Sequence, residues 1–240
     1  MSGPYRPSEY WSNRLRDGFD LRATGQIEYT EGYNVWLYRA KRRALDASLR
    51  DVPAETPALD IGSGVGWVVQ QLLRHGMHVD GCDIAEVSVE ELGRRFPEAT
   101  FFKLAMGAEK IPRPDATYGL VTALDVTYHI TDDEEWLAAL AEIARVLQPG
   151  GRLVVSDGLG DDTSEPASHV RFRSREIWSQ AERFGFEFRE VRPYFRWLSR
   201  PRNTRGFRRL GDRKRGALEF ALEFAVPRKP HMRCATLVKR

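Results

Sequence analysis

The sequence predicts an α/β chain built on a doubly wound, mostly parallel seven-stranded sheet with helices on both faces. Three observations lead there. Strand-length apolar runs alternate with stretches of helical periodicity from Ala58 to Asp157, the pattern of a parallel sheet joined by helical crossovers. Ala58-Leu59-Asp60-Ile61-Gly62-Ser63-Gly64-Val65-Gly66-Trp67 reads as a buried strand that turns sharply through glycines into a helix. Such a turn sets free backbone N–H groups beside the positive end of a helix dipole. One strand later, His78-Val79-Asp80-Gly81-Cys82-Asp83 ends in an acid about 20 residues beyond the first glycine, the spacing at which a carboxylate receives the two hydroxyls of a ribose.

Residues 1–50 precede the sheet and are crowded with Tyr and Trp. Glu31 to Leu49 reads as a helix, with Tyr33, Trp36, Leu37, Ala40, Ala44 and Leu45 at helical spacing and Lys41, Arg42 and Arg43 on the other face. This segment is expected to form a helical cap, or lid, over the domain at 51–240. Pro53 and Pro57 end the helix and lead into the first strand. Val68 to Arg74 and Val87 to Phe96 read as helices, and Ala99 to Ala105 and Tyr118 to Asp125 as the third and fourth strands. Asp132 to Leu147 is a helix capped by Thr131 or Asp132. Gln148-Pro149-Gly150-Gly151 makes a turn into the fifth strand, Arg152 to Asp157. A polar loop, 158–174, leaves the carboxyl edge of the sheet. Arg175 to Phe184 is a helix ended by Gly185, and Glu187 to Leu198 and His231 to Lys239 are the last strands. Between those strands lies an Arg-rich insert at about 199–230, whose stretch Leu218 to Phe224 fits either a helix or a strand. The insert follows the sixth strand and is expected at the amino edge of the sheet, unless that strand runs back toward the site.

Length and composition bound the function. A chain of 240 residues with 42% apolar content holds one α/β domain with an elaboration or two. No run of about 18 apolar residues predicts a membrane span, and the first residues lack the apolar core of a signal peptide. The two cysteines, one inside a buried strand, read as reduced thiols of a cytoplasmic protein. Neither Cys nor His shows metal-ligand spacing, so no metal is expected.

The glycine turn has the form D-x-G-x-G-x-G. A nicotinamide fingerprint wants the third glycine one place later, where Trp67 stands. With its strand-end acid, the turn resembles the first two motifs of class I S-adenosylmethionine-dependent methyltransferases, a Rossmann-like family, in their small-molecule branch. Ile111 to Tyr118, Asp125 to Ile130 and Leu147 to Leu153 resemble that family's loop before the fourth strand, its segment after it, and its turn into the fifth. The resemblance runs from about Ala58 to Asp157. It implies S-adenosylmethionine as cofactor and S-adenosylhomocysteine as product. It assigns the ribose to Asp83 and the methionine part to Asp60 and Gly62. Ser63, Gly64, Gly66, Trp67, Ile84 and Asp125 complete the implied cofactor contacts. Many members carry an acid for the adenine where Gly107 stands, and another where Gly119 stands. Backbone groups of Met106 and Gly107, with the Met106 side chain against the ring, are the substitutes.

Methyl transfer is an in-line displacement in which the protein orients the acceptor and, where needed, removes its proton. His129 and His169 follow strands at the carboxyl edge and are the candidate bases, with Tyr128 and Asp157 next. Tyr5, Tyr10, Trp11, Tyr29 and Tyr33 are candidates for the acceptor pocket, by analogy with the family's N-terminal helices. Arg171 and Arg173, on the loop after the fifth strand, are candidates to grip a carboxylate or phosphate. The expected partner is therefore a small-molecule acceptor, with an anionic natural-product or sugar-linked intermediate as the form those arginines suggest. The Arg-rich insert keeps open an RNA, DNA or protein substrate. Against nucleic acid, only Phe207 interleaves the arginine run, and the post-strand segment Asp125-Val126-Thr127-Tyr128 lacks the N/D-P-P-Y/F signature of exocyclic amine methylation. A cofactor-binding scaffold without methyl transfer is the remaining alternative. Whether O, N or C is methylated stays open.

Overall fold

The computed structural model describes residues 5–164, 169–199 and 211–240. Seven strands form one sheet in the order β3-β2-β1-β4-β5-β7-β6. They are β1 (Pro57–Ile61), β2 (His78–Asp83), β3 (Thr100–Lys103), β4 (Tyr118–Ala123), β5 (Leu147–Asp157), β6 (Phe186–Phe195) and β7 (Met232–Lys239). All neighbouring pairs from β3 to β5 are parallel. The order reverses between β1 and β4, and an open sheet binds its ligands outside the carboxyl ends at such a switch point.

A first helix, α1 (Pro7–Asp17), packs against α4 (Glu86–Arg95). Helices cover both faces of the sheet. α2 (Glu31–Leu49), α3 (Trp67–Arg74) and α4 border one core, where Leu37, Leu45, Val69, Leu72 and Leu92 are buried. α5 (Asp133–Val146) and the short α6 (Arg175–Trp178) border the other, around Trp136, Leu140, Ile143 and Trp178. The Asp132 side chain caps α5 by accepting from the Glu134 and Glu135 N–H groups. Two expected elements take another form. Gln148 to Gly151 are not a separate turn but an irregularity within β5, since Tyr118 faces Leu147 and Leu120 faces Arg152; Gly150, at φ +77°, absorbs the extra residues. The helix expected at Arg175 to Phe184 is one α-turn continued as a 3-10 helix over Ser179–Phe184.

The largest departure concerns β6. β5 and β6 both pair antiparallel with β7, so β6 runs parallel to β1–β5. The chain after β6 therefore leaves at the carboxyl edge, on the same rim as the site, not at the amino edge. The described part of the insert forms α7 (Asp212–Ala225), which packs against α2. Arg200, Arg202, Arg205, Arg208 and Arg209 lie outside the described residues. α7 is inverted in polarity: Arg215, Glu219 and Glu223 are buried, whereas Leu218 is 39% and Phe224 58% exposed. The buried charges are paired locally, although Arg215 Nη2 has no partner among the described residues. Glu219 accepts from the Tyr33 hydroxyl at 2.6 Å and from Arg215 Nε at 2.7 Å. Glu223 accepts from the N–H groups of Arg196, Trp197 and Leu198 at 2.7 Å each, capping the end of β6.

Among the described residues no helix is long and apolar enough to cross a membrane.

Candidate active site

β1 ends at the switch point, and the chain turns through Gly62 and Gly64 at φ +70° and +53°, values that L side chains rarely adopt. A Cβ on Gly62 would meet Val126 at 2.4 Å, and one on Gly64 would meet Thr24 at 2.6 Å. Two buried carboxylates face this turn. Asp83 accepts from Gly64 N at 2.7 Å and from Ala85 N at 2.9 Å. Burial raises its pKa, and those N–H groups oppose the rise. Asp60 accepts from the Thr122 hydroxyl through Oδ1. Its Oδ2 is buried with no partner among the described residues, and burial pushes its carboxyl up to about 7. An orphaned carboxylate oxygen beside a glycine turn fits a ligand that brings a cation, such as the ammonium of the methionine part of S-adenosylmethionine. Ser63 braces the turn by donating to Asp60 O at 3.0 Å. Ile84 accepts from Ser8 of α1 at 3.4 Å, tying the cap to this end of β2.

Gly66 and Gly107 serve packing at the positions where the resemblance implies cofactor contacts. A Cβ on Gly66 would strike Leu92 at 2.5 Å and Phe96 at 2.8 Å, so this glycine lets α3 and α4 pack closely. A Cβ on Gly107 would meet Glu135 O at 2.4 Å, so that position is governed by α5. Trp67 opens α3 and sits edge-on to Tyr38 at 5.1 Å. Met106, half-buried, pairs with Glu109 in an isolated bridge.

Beyond β4, Asp125 adopts φ +61°. Its N–H donates to Ser156 Oγ at 2.7 Å, and that hydroxyl donates back to Asp125 Oδ1 at 3.0 Å. Asp125 Oδ2 lies 2.6 Å from Lys41 Nζ. Asp125 is thus held by the protein. Lys41, expected on the solvent face of α2, is only 5% exposed.

The 3-10 turn Thr127–His129 comes next. His129 Nδ1 lies 2.7 Å from the His169 carbonyl oxygen. A carbonyl only accepts, so Nδ1 carries the proton and Nε2 is left as the acceptor. Burial pushes the His129 pKa down to about 4, so the ring is neutral near pH 7. His169 stacks on it, centroids 5.5 Å apart at 9°; burial and then Arg14 lower its pKa too. The cap supplies the surrounding rings: Trp11 meets His129 edge-on at 4.9 Å, Tyr10 stacks on His169 at 4.9 Å, and Tyr5 lies 6.0 Å from His169. The structure therefore brings both candidate histidines together with Tyr5, Tyr10 and Trp11. Tyr128 packs on His129 and Phe172, but burial raises its pKa well above the ordinary value and its hydroxyl is bonded to Asp125, which makes it a poor base.

Several expected roles are corrected. Arg173 is 0% exposed and its donors are taken by Asp133 and by the Thr127, Ile130 and Asp132 carbonyls. It locks the loop and has nothing left for a substrate anion. Arg171 pairs with Asp133 at 2.8 Å. Asp157 accepts from Gly158 N, Arg173 N and Trp178 Nε1, a structural set that removes it as a base. Tyr29 and Tyr33 stack at 4.1 Å and are buried against Arg215 and Glu219 of α7, a core packing role in place of the expected acceptor contact. Sequence reasoning misses Lys41 because a lysine on a helix reads as solvated; no pattern in the sequence marks its buried partner.

A reversed strand order, a glycine cradle with two buried acids, and a ring-lined box at the next strand end define the class: a Rossmann-like fold for a nucleoside cofactor. Residues 59–155 match the model of the family described as a methyltransferase domain. The chain is 34% identical over 124 residues to the demethylmenaquinone methyltransferase of Beutenbergia cavernae, covering 52% of this chain and 49% of that one. To the 27-O-demethylrifamycin SV methyltransferase of Amycolatopsis mediterranei it is 32% identical over 159 residues, covering 63% and 53%. The chain thus spans about half the length of the curated relatives it matches. The solved Burkholderia thailandensis 1,6-didemethyltoxoflavin-N1-methyltransferase, with 1,6-didemethyltoxoflavin and S-adenosylhomocysteine bound, shares the fold at TM-score 0.60 and 18% identity, covering 100% of this chain and 93% of that one. The matched segment, residues 59–155, carries a methyltransferase domain, and the resemblance to class I S-adenosylmethionine-dependent methyltransferases is supported by the family model and the relatives alike.

Proposed function

We propose that the protein transfers the methyl group of S-adenosylmethionine to a hydroxyl of a flat, unsaturated small molecule. The cofactor supplies an electrophilic methyl when bound. Asp83 holds its ribose, Asp60 and Gly62 its methionine part, and Met106 flanks the adenine. The observation that carries the acceptor assignment is the neutral His129, its proton fixed on Nδ1 by the His169 carbonyl at 2.7 Å, inside a box of aromatic rings. Its Nε2 takes the proton as the acceptor oxygen attacks, while the rings of Trp11, Tyr10 and Tyr5 orient a planar molecule by stacking. α1 acts as the lid that brings those rings over the cofactor. With Arg173 committed to the loop, an aromatic acceptor is favoured over an anionic one. The two curated relatives named above act on small molecules by their names, which agrees with this reading, and the methylated oxygen in the rifamycin relative's name agrees with the base.

The test has two arms. Calorimetry with S-adenosylhomocysteine should give saturable binding that Asp83→Ala weakens. A panel of phenols and hydroxyquinones, screened by mass spectrometry for gain of one methyl group, should yield a product, whereas matched aliphatic phosphates should not. Methylation of the phosphates alone would overturn the acceptor class.

A further inference from the structure

Lys41 is the cation of α2 that the site's architecture uses. Its neighbours Arg42 and Arg43 are exposed, yet Lys41 is buried with its ammonium over the Tyr38 ring at 4.1 Å. Burying a lysine is costly unless it is paired, and here the partner is Asp125 at 2.6 Å. Asp125 is itself a non-glycine residue in the left-handed region, a conformation that persists only where the surroundings over-determine it. Ser156 grips its N–H and one carboxylate oxygen; Lys41 grips the other, with the Tyr194 hydroxyl at 3.4 Å. Burial works against the charge on Lys41, but Asp125 and then Tyr38 outweigh it and its pKa is raised.

The segment beyond Asp125 is what this grip positions. Val126 lies against Gly62 of the cradle, and Val126 O accepts from His129 N at 2.8 Å, closing the turn that presents the histidine. On the other side of Lys41, the Tyr38 hydroxyl bonds Thr24 at 2.8 Å, and Thr24 lies against Gly64. Lys41 therefore meets the loop that aims His129 directly, and the segment that covers the glycines through Tyr38.

We infer that Lys41 is a positioning residue: through Asp125 it fixes the left-handed turn that sets Val126 on the cradle and His129 in the aromatic box. This role deepens the proposed function and rests on it for what His129 does. Its test uses the full chain without acceptor. Histidine side-chain NMR follows the His129 ring, assigned by the signal lost in His129→Gln. The groups facing that ring are His169, Tyr128, Arg14 and Asp125. In the wild-type protein His129 should stay neutral down to a midpoint of about 4. In Lys41→Met the turn opens, the ring hydrates, and the midpoint should move up by more than about one pH unit toward the ordinary histidine value. S-adenosylhomocysteine affinity should fall at least about threefold, because Val126 and Thr24 shift off the glycines. Should Lys41→Met fail to fold, Lys41→Met/Asp125→Asn leaves no unpaired charge and is read against Asp125→Asn alone, because the Asp125 charge itself faces the ring. An unchanged His129 midpoint in either folded variant overturns the inference and leaves the pair as a strut. Failure of the proposed function has a different signature, namely absence of cofactor binding in the wild-type protein.

Discussion

The glycine cradle and the cap are assembled by different means. The cradle is made of backbone: a strand end, two left-handed glycines and two carboxylates that receive N–H or hydroxyl groups. The cap helix α2 with α7, and separately the loop after β5 against α5, are built on buried charge. Lys41, Arg173, Arg215, Glu219 and Glu223 are all sequestered there. A backbone cradle tolerates loss of a side chain as a loss of ligand contact. A charged scaffold does not, because removing one partner strands the others without water. The difference predicts which substitutions cost stability and which cost affinity.

The largest effect should come from Glu223→Ala. Three backbone N–H groups lose their acceptor, and at roughly 1–3 kcal/mol for a stranded buried donor the loss should be about 4 kcal/mol in urea unfolding. A loss below about 1 kcal/mol would show that water replaces the carboxylate. Arg173→Met comes next. The Asp133 carboxylate is 47% exposed and can rehydrate, so the cost is mainly the stranded carbonyls, about 2–3 kcal/mol of stability. Acceptor KM should change little in whatever protein remains folded; a large KM effect at full stability would restore Arg173 to the substrate. In the cradle the order inverts. Asp83→Asn, whose amide oxygen still accepts from one of the Gly64 and Ala85 N–H groups, should weaken S-adenosylhomocysteine binding by about 2 kcal/mol while the melting temperature of the free protein moves far less than in the cap variants. Equal damage to both quantities would erase the distinction between the regions.

The smallest effect is a pH dependence. Asp60 has a carboxyl pKa near 7 in the folded chain against an ordinary 3.8. Between those values the folded chain holds a proton that the unfolded chain has released, so stability falls as pH rises through that window. Asp157, raised to about 6 by burial, adds to the same slope. An ammonium arriving beside Asp60 favours its ionised form, so S-adenosylhomocysteine should bind more tightly near pH ~8 than near pH ~6, by under about tenfold. Asp60→Asn should flatten the affinity profile and leave the Asp157 share of the stability slope. Calorimetry at the two pH values with both proteins decides it.

The same contrast governs what the sequence displays. The cradle is legible because its physics is local: glycines at fixed offsets, an acid closing the next strand, and alternation that sets strand order. His129 and His169 are legible as neighbours because both follow strands at one edge. Arg173 is misread because its partners are carbonyls of another loop, which sequence does not display. Tyr29 and Tyr33 are misplaced on the pocket because aromatic residues look the same in a core and in a site. The α7 pattern is ambiguous because its buried face is the charged one. The direction of β6 turns on its antiparallel pairing with β7, a long-range contact with no local signal.

The direction of β6 also bears on how the molecule comes together. Tyr33 and Glu219 meet across 186 positions of chain, and Ser48 and Thr236 across 188. α2 precedes the whole sheet in sequence, yet part of its wall is supplied only after β6 has been laid down. Contacts of such span are entropically slow to close. A nascent chain that has delivered β1 to β5 can assemble the cradle while α2 still lacks its partners on α7, so the pocket's rim is finished last. Slow synthesis or truncation beyond β5 should leave the molten part at the rim and the ordered part around the glycines.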